Sequence, residues 1–121
     1  MTVLVDTSVW INHLQKANSA LGALLDEERV LVHPFVIGEL ACGHLRQRAE
    51  IIDLLAALPS TTKASDEEVL FLIEQHRLMG KGVGLIDIHL LASSLTDKCH
   101  LWTADKPLAA VASQLNLAWQ H

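Results

Sequence analysis

The stretch "VLVDTSVW", residues 3–10, decides how the chain begins to fold. It opens with three apolar residues typical of a short buried strand, and the apolar residues after Ser8 recur at helical spacing. We therefore predict a strand over residues 2–5 and a helix from about 8 to 15. Asp6 stands between them, where burying a carboxylate is costly unless another group compensates its charge. Asp6 is either the N-cap of the following helix or part of a functional site.

The composition predicts one domain spanning residues 1–121, because half of the chain is hydrophobic and can form a real core. No apolar run approaches the roughly 18 residues of a membrane span, and no signal peptide is recognisable. The two cysteines form no CxxC pair, so we expect a reduced, cytoplasmic setting. The net charge of −5 argues mildly against a general nucleic-acid binder, unless several acids surround a bound divalent ion.

Short apolar stretches alternate with helical patterns along the rest of the chain. Further strands are predicted over residues 29–33, 100–103 and 117–119. Helices are predicted over residues 19–27, from 34 onward, and over 47–58, 65–78, 85–96 and 106–115. This alternation is typical of an α/β fold in which helices cover both faces of a parallel sheet. The large helical share also predicts a helical arm, whose apolar residues include Leu21, Leu24, Leu25 and Phe35.

Four acidic residues stand in apolar surroundings, unlike most of the fourteen acids: Asp6, Glu39, Asp87 and Asp105. Asp6 and Asp105 each follow a predicted strand and precede a helix, so each can be an N-cap. Asp87 lies near a helix start, where the helix dipole favours a negative charge. Glu39 has no such explanation, because it lies within a helix and apolar or small residues adjoin it at helical spacing.

These acids also have a common explanation. Ligands of a parallel α/β sheet bind beyond the carboxyl ends of the strands, and all four acids fall at or near that edge. Converging carboxylates repel each other, and a divalent ion offsets the repulsion. Such oxygen-only sites suit Mg²⁺ or Mn²⁺ and the hydrolysis of phosphodiesters. Ser8 and Thr103, each two residues from an acid, either hold metal-bound water or a phosphate oxygen, or are capping or turn hydroxyls.

Four stretches carry these acids in order: "VLVDTSVW" (3–10), "FVIGELACG" (35–43), "GLIDIHLLASS" (84–94) and "LWTADKPLA" (101–109). Together they resemble the acidic motifs of PIN-domain ribonucleases, and most closely those of the VapC-type toxins of bacterial toxin–antitoxin pairs. The resemblance covers the whole chain. It implies a three-layer α/β/α sandwich whose central parallel sheet has four to five strands. It also implies an Mg²⁺- or Mn²⁺-dependent endoribonuclease, a homodimer, and a cognate antitoxin that obstructs the acidic pocket.

By motif, the resemblance implies that four acids are both catalytic and metal-binding, with two supporting hydroxyls. The acids are Asp6, Glu39, Asp87 and Asp105, and the hydroxyls are those of Ser8 and Thr103. Contacts to substrate phosphates are predicted from basic residues. The candidates are Arg46, Arg48, Arg77 and Lys81. The alternative for these four is scattered, solvated charge.

Several other functions share part of this sequence pattern. A non-toxin PIN-like nuclease would use the same acidic site. A phosphatase of the haloacid dehalogenase kind also begins with a strand and an Asp, but it needs a second Asp where Ser8 stands. A phospho-receiver domain needs a central aspartate at a strand end, whereas Glu39 is predicted on a helix. A binding module that has lost its activity would not need all four acids. Seven histidines, His121 included, lack the HExxH spacing of a zinc site.

Overall fold

The computed structural model describes residues 1–120, and His121 lies outside them. Three parallel strands form the central sheet: β1 (Val3–Val5), β2 (Val30–Leu31) and β3 (His100–Trp102). Their spatial order is β2-β1-β3. Because all strands are parallel and β1 is central, the carboxyl ends of all three strands lie at one edge of the sheet.

The number of strands differs from the four to five that were predicted. In residues 1–120 each outer strand is extended sideways by a single parallel bridge, Val32 with Ser60 on one side and Leu101 with Ala118 on the other. The strand predicted over 117–119 is thus present as a single bridge, in which the N–H of Leu101 donates to the carbonyl of Leu117 and the N–H of Trp119 donates to the carbonyl of Leu101. Pro59 has no N–H to donate to a ladder, which limits pairing beside Ser60. The α/β fold with a parallel sheet flanked by helices is confirmed.

Helices connect the strands and cover the sheet. In chain order they are α1 (Thr7–Gln15), α2 (Ser19–Asp26), α3 (Pro34–Cys42), α4 (Arg48–Ala57), α5 (Asp66–His76), α6 (Leu85–Asp97) and α7 (Lys106–Gln114). Each predicted helix exists, with ends shifted by at most two residues. The helix predicted over 65–78 is the most changed, because Ser65 is its N-cap and Arg77 ends it in the left-handed conformation. No helix of the described chain is long and apolar enough to cross a membrane.

One buried apolar cluster joins the sheet to the helices. All three residues of β1 are fully buried, as are Leu90 and Leu91 of α6. Leu21 and Leu24, which were expected in a helical arm, belong to this same cluster. Both side chains are buried, so this side of α2 contributes to the main core instead of a separate arm. The helices α3 and α4 pack on each other and α3 on α1, on the side of the molecule where Glu39 lies.

Candidate active site

Asp6 follows the central strand β1 and is almost fully buried. Its backbone N–H donates to the carbonyl of Trp102 at 2.9 Å, which locks it beside the end of β3. Asp6 occupies the N-cap position of α1, as one of the two explanations predicted, but its side chain makes no capping hydrogen bond. Instead its Oδ2 accepts from the hydroxyls of Ser8 at 2.8 Å and Thr103 at 2.7 Å. The carboxylate is thus held jointly by α1 and the segment after β3.

The two hydroxyls beside Asp6 have fixed directions. Ser8 Oγ accepts from the N–H of Ala104, and Thr103 Oγ1 accepts from the N–H of Asp105, each at 3.0 Å. A hydroxyl has a single hydrogen, so each one donates toward Asp6 while its lone pair receives a backbone amide. The sequence did not predict that both hydroxyls orient Asp6. The bond from the Asp105 N–H to Thr103, two residues earlier, is that of the turn hydroxyl that the sequence allowed.

Asp105 is the N-cap residue of α7. Its Oδ2 accepts from the N–H of Leu108 at 3.0 Å, so the N-cap interpretation of Asp105 is confirmed. In residues 1–120 no hydrogen bond reaches its Oδ1. The side chain is exposed at the carboxyl edge of the sheet. One oxygen thus stabilises α7 and the other faces solvent.

Asp87 is the third residue of α6, and its Oδ2 accepts from the N–H of Gly84 at 3.0 Å. The loop before α6 brings this helix start toward α7. Gly82 in that loop has φ +80°, and a Cβ there would lie 3.3 Å from Cβ of Pro107, which follows Asp105 by two. A larger residue at position 82 would be strained by its φ and crowded by Pro107.

Glu39 departs from its predicted surroundings. The sequence indicated an apolar face, but Glu39 is exposed in the structure. Cys42 and Gly43, on the same side of α3, are exposed as well. Its Oε1 accepts a 2.6 Å hydrogen bond from the hydroxyl of Thr7 on α1. Thr7 was not among the predicted residues, although its place directly after Asp6 in the quoted stretch is a signal that points to it.

A groove of about 520 Å³ begins at Glu39 and runs between α1 and α3. We call it the α1–α3 groove. Its lining is mostly apolar on the α1 side, where Ile11 and Leu14 are partly exposed. His44 and Arg46 line the other side. The groove therefore combines an apolar wall, a basic side chain and one of the four acids.

The electrostatics of Asp87 link the four acids. Burial raises the pKa of its carboxyl above the usual 3.8, and the hydrogen bond from the Gly84 amide opposes that shift. The negative charges of Asp6, Asp105 and Glu39 raise the pKa further. The one ion pair between side chains in residues 1–120 joins Arg29 to Glu27. Hence no described Lys or Arg neutralises any of the four acids.

The acids are not drawn together into a finished metal cage. In the described part of the chain, no three Asp, Glu, His or Cys side chains stand as a group that could hold a metal ion. Each of the four carboxylates has one oxygen hydrogen-bonded within the protein. Within residues 1–120 the second oxygen of each accepts none.

The four basic candidates fall into different places. Arg46 lines the α1–α3 groove beside Glu39. Arg48 instead donates from Nε and Nη2 to the carbonyl of Ala41, at 3.2 and 3.0 Å, and so closes the end of α3. Arg77 and Lys81 are exposed near the loop that precedes Asp87. Only Arg46 is thus placed in a groove with one of the acids.

Comparison with known proteins agrees with this architecture. A protein from Pyrobaculum aerophilum, PAE2754, has the same fold with a TM-score of 0.61 and 14% identity, over 96% of this chain and 90% of that one. The family model described as PIN domain matches residues 3–114. The chain therefore belongs to the PIN-domain family.

Within the family, the chain is similar to Ribonuclease VapC32 of Mycobacterium tuberculosis. In strains CDC 1551 / Oshkosh and ATCC 25618 / H37Rv alike, the identity is 44% over 117 residues, covering 96% of this chain and 94% of the relative. The resemblance to VapC-type PIN ribonucleases that the four motifs indicated is thereby confirmed.

Proposed function

We propose that this chain is the toxin of a toxin–antitoxin pair, a single-domain endoribonuclease of the cytoplasm that hydrolyses RNA phosphodiester bonds with Mg²⁺ or Mn²⁺. The observation that carries the proposal is the state of the four acids. Three of their charges raise the pKa of the fourth, Asp87, and no described Lys or Arg pairs with any of them. Uncompensated acids at the ligand-binding edge of a parallel sheet are a functional arrangement, since stability alone disfavours them.

The donor chemistry of these residues fits a hard divalent cation. All four side chains offer carboxylate oxygens, and the groups nearest to Asp6 are hydroxyls, which are the ligand types of Mg²⁺ and Mn²⁺. Each carboxylate keeps one oxygen without a hydrogen bond from the described chain, so each can bind an ion without losing its protein contact.

The residues of the site would have different roles in hydrolysis. When bound, the cation supplies a Lewis acid that makes a water more acidic and stabilises charge on the phosphate. Asp6, buried and doubly anchored by Ser8 and Thr103, is the rigid member that fixes where the reaction occurs. Asp87 and Asp105 lie at the starts of two helices, where the positive ends of the dipoles favour the phosphate's negative charge.

Substrate affinity rests on few basic groups. Arg46 beside Glu39 is the best-placed candidate for a phosphate contact, and Lys81 in the loop before Asp87 is the second. Arg77 stays a candidate, whereas the guanidinium of Arg48 already serves the end of α3. With so few cations, we expect RNA binding to depend only weakly on salt concentration.

The antitoxin is expected in the α1–α3 groove. Its apolar wall suits the apolar side of a helix, and Glu39 in its lining would bring an occupant into contact with one of the four acids. A basic side chain of the antitoxin would find an uncompensated carboxylate there. The homodimer implied by the resemblance is tested separately, by light scattering of the purified protein.

The decisive experiment compares the parent protein with Asp6→Asn. The substitution is nearly isosteric, and an amide oxygen can still accept from Ser8 and Thr103, so the fold should persist. We expect the parent to cleave RNA with Mn²⁺ and to stop in EDTA. We expect Asp6→Asn to lose cleavage by several hundredfold or more, as about 3–4 kcal/mol of lost transition-state stabilisation implies. Asp53→Asn, an exposed α4 substitution, is the matched control and should behave as the parent.

Two results would overturn the proposal. Cleavage by Asp6→Asn at the parent's rate would show that the acidic edge is not the active site. Hydrolysis of p-nitrophenyl phosphate without any cleavage of RNA would favour the phosphatase-like alternative. Isothermal titration with Mn²⁺ gives a second readout, because Asp87→Asn should weaken binding even where no RNA is present.

A further inference from the structure

We propose that Thr7 is a positioning residue that holds Glu39 in the geometry needed to bind the cation. The proposal rests on the proposed function, because it assigns a role within the same acidic site. Thr7 is the first residue of α1 and follows Asp6 directly. Its hydroxyl donates to Glu39 Oε1 across two helices and 32 positions of sequence.

The hydrogen bond between Thr7 and Glu39 is short, and neither side chain has another partner among the described residues. The 2.6 Å separation of Thr7 Oγ1 and Glu39 Oε1 lies in the range of charge-assisted hydrogen bonds between a hydroxyl and a carboxylate. Within residues 1–120 it is the only hydrogen bond of either side chain. Glu39 Oε2 accepts none, so the bond leaves one oxygen free to face the other acids.

Glu39 needs such a support more than the other three acids do. Asp87 and Asp105 are short side chains anchored by backbone amides near their own helix starts. Asp6 is buried and receives two hydroxyls. Glu39 is exposed in α3, has one more rotatable bond than an aspartate, and has only Thr7 to limit its rotamers. Removing this hydroxyl therefore frees Glu39 alone.

Thr7 also suits the task by its branching. Two heavy atoms on Cβ restrict χ1, so the hydroxyl of a threonine keeps one direction better than that of a serine. Its place next to Asp6 fixes that direction relative to the most rigid acid of the site. The adjacent residues Asp6 and Thr7 thereby link two of the four carboxylates: Asp6 supplies one, and Thr7 positions the other, that of Glu39.

The test uses Thr7→Val, which removes the hydroxyl and keeps the branched shape, and Thr7→Ser, which restores the hydroxyl. We expect Thr7→Val to weaken Mn²⁺ binding about tenfold by isothermal titration, the loss typical when the hydrogen-bond partner of a metal ligand is removed. The Mn²⁺ concentration for half-maximal RNA cleavage should rise equally, with the plateau rate within about threefold of the parent. Thr7→Ser should recover most of both losses.

Two controls separate positioning from mere structure. Thr96→Val, an exposed helical threonine far along α6, should leave Mn²⁺ affinity and cleavage unchanged. In a Glu39→Gln background, Thr7→Val should weaken Mn²⁺ binding less than twofold further, because the carboxylate through which Thr7 acts is gone. Urea unfolding of each variant shows that the comparison is made between folded proteins.

Every outcome decides the proposal. It is overturned if Thr7→Val binds Mn²⁺ as tightly as the parent, if Thr7→Ser fails to recover, or if the full tenfold effect persists with Glu39→Gln. Its failure is distinguishable from failure of the proposed function. A parent that cleaves RNA with Mn²⁺ while Thr7→Val is unaltered refutes only the role of Thr7. A parent that neither binds Mn²⁺ nor cleaves RNA refutes both.

Discussion

A buried histidine at the start of α3 makes the stability of this protein depend on pH. His33 is fully buried, and its Nδ1 accepts the N–H of Phe35 at 3.0 Å as the N-cap of α3. A ring nitrogen that accepts a hydrogen bond carries no proton, so protonation of His33 would destroy the cap. Burial, followed by the electrostatic effects of His89 and Lys63, lowers the pKa of His33 from 6.5 to about 4.

The sign and size of the effect follow from the two pKa values. The folded state prefers neutral His33, so this contribution is complete above pH 6.5 and is lost as the pH falls from 6.5 toward 4. Over that interval His33 binds a proton in the unfolded chain but stays neutral in the folded protein. Between about pH 7.5 and about pH 4.5, the loss in the free energy of unfolding amounts to about 2 kcal/mol.

The assay is urea unfolding at these two pH values for the parent and His33→Asn. Asparagine can still cap α3 and does not titrate, although the smaller side chain lowers stability at both pH values. The parent should lose about 2 kcal/mol more than His33→Asn on acidification. His76→Asn, at an exposed position of α5, should lose as much as the parent. Equal losses in the parent and His33→Asn would refute the reasoning.

Two further predictions concern stability and substrate. In metal-free protein, Asp87→Asn should raise the free energy of unfolding at neutral pH, because burial and the charges of Asp6, Asp105 and Glu39 penalise the charged carboxylate. The gain should vanish below pH 3.8, where the carboxyl is neutral even in the unfolded chain. Urea unfolding measures this, with Asp53→Asn as the control. A lower free energy of unfolding for Asp87→Asn at neutral pH would contradict the prediction. Arg48→Ala should lower stability by about 1 kcal/mol through the lost bonds to Ala41, whereas Arg46→Ala should weaken RNA binding at unchanged stability. Fluorescence anisotropy with labelled RNA measures the binding of each variant. Weaker RNA binding by Arg48→Ala, together with lower stability of Arg46→Ala, would contradict both assignments.

Local features of the sequence predicted most of the elements. The strand–acid–helix order of "VLVDTSVW" is found as β1, Asp6 and α1. Ser65 with Glu68 forms a capping box at the start of α5, and Asp105 caps α7. These features were predictable because their partners lie within four residues of each other, so the backbone geometry of a helix start suffices to bring them together.

The edges of the sheet and the surroundings of Glu39 were not predictable in the same way. Residues 117–119 have the composition of a strand and hydrogen-bond to Leu101, yet they form a single bridge, because the length of a strand depends on how far the chain runs beside β3. The pattern around Glu39 reads as a buried face, but burial is decided by what packs on α3. The structure leaves that side open at the α1–α3 groove.

The sequence by itself determined which residues are acids at strand ends and helix starts, and that they occur in the order of one family. Only the tertiary structure decided how their oxygens are held. Thr103 reaches Asp6 from 97 positions away, and Thr7 reaches Glu39 from 32. Such contacts require the order β2-β1-β3 and the packing of α1 against α3. The physical reason is that periodicity fixes the direction of a side chain on its own element, while a hydrogen bond between elements depends on the closure of every loop between them.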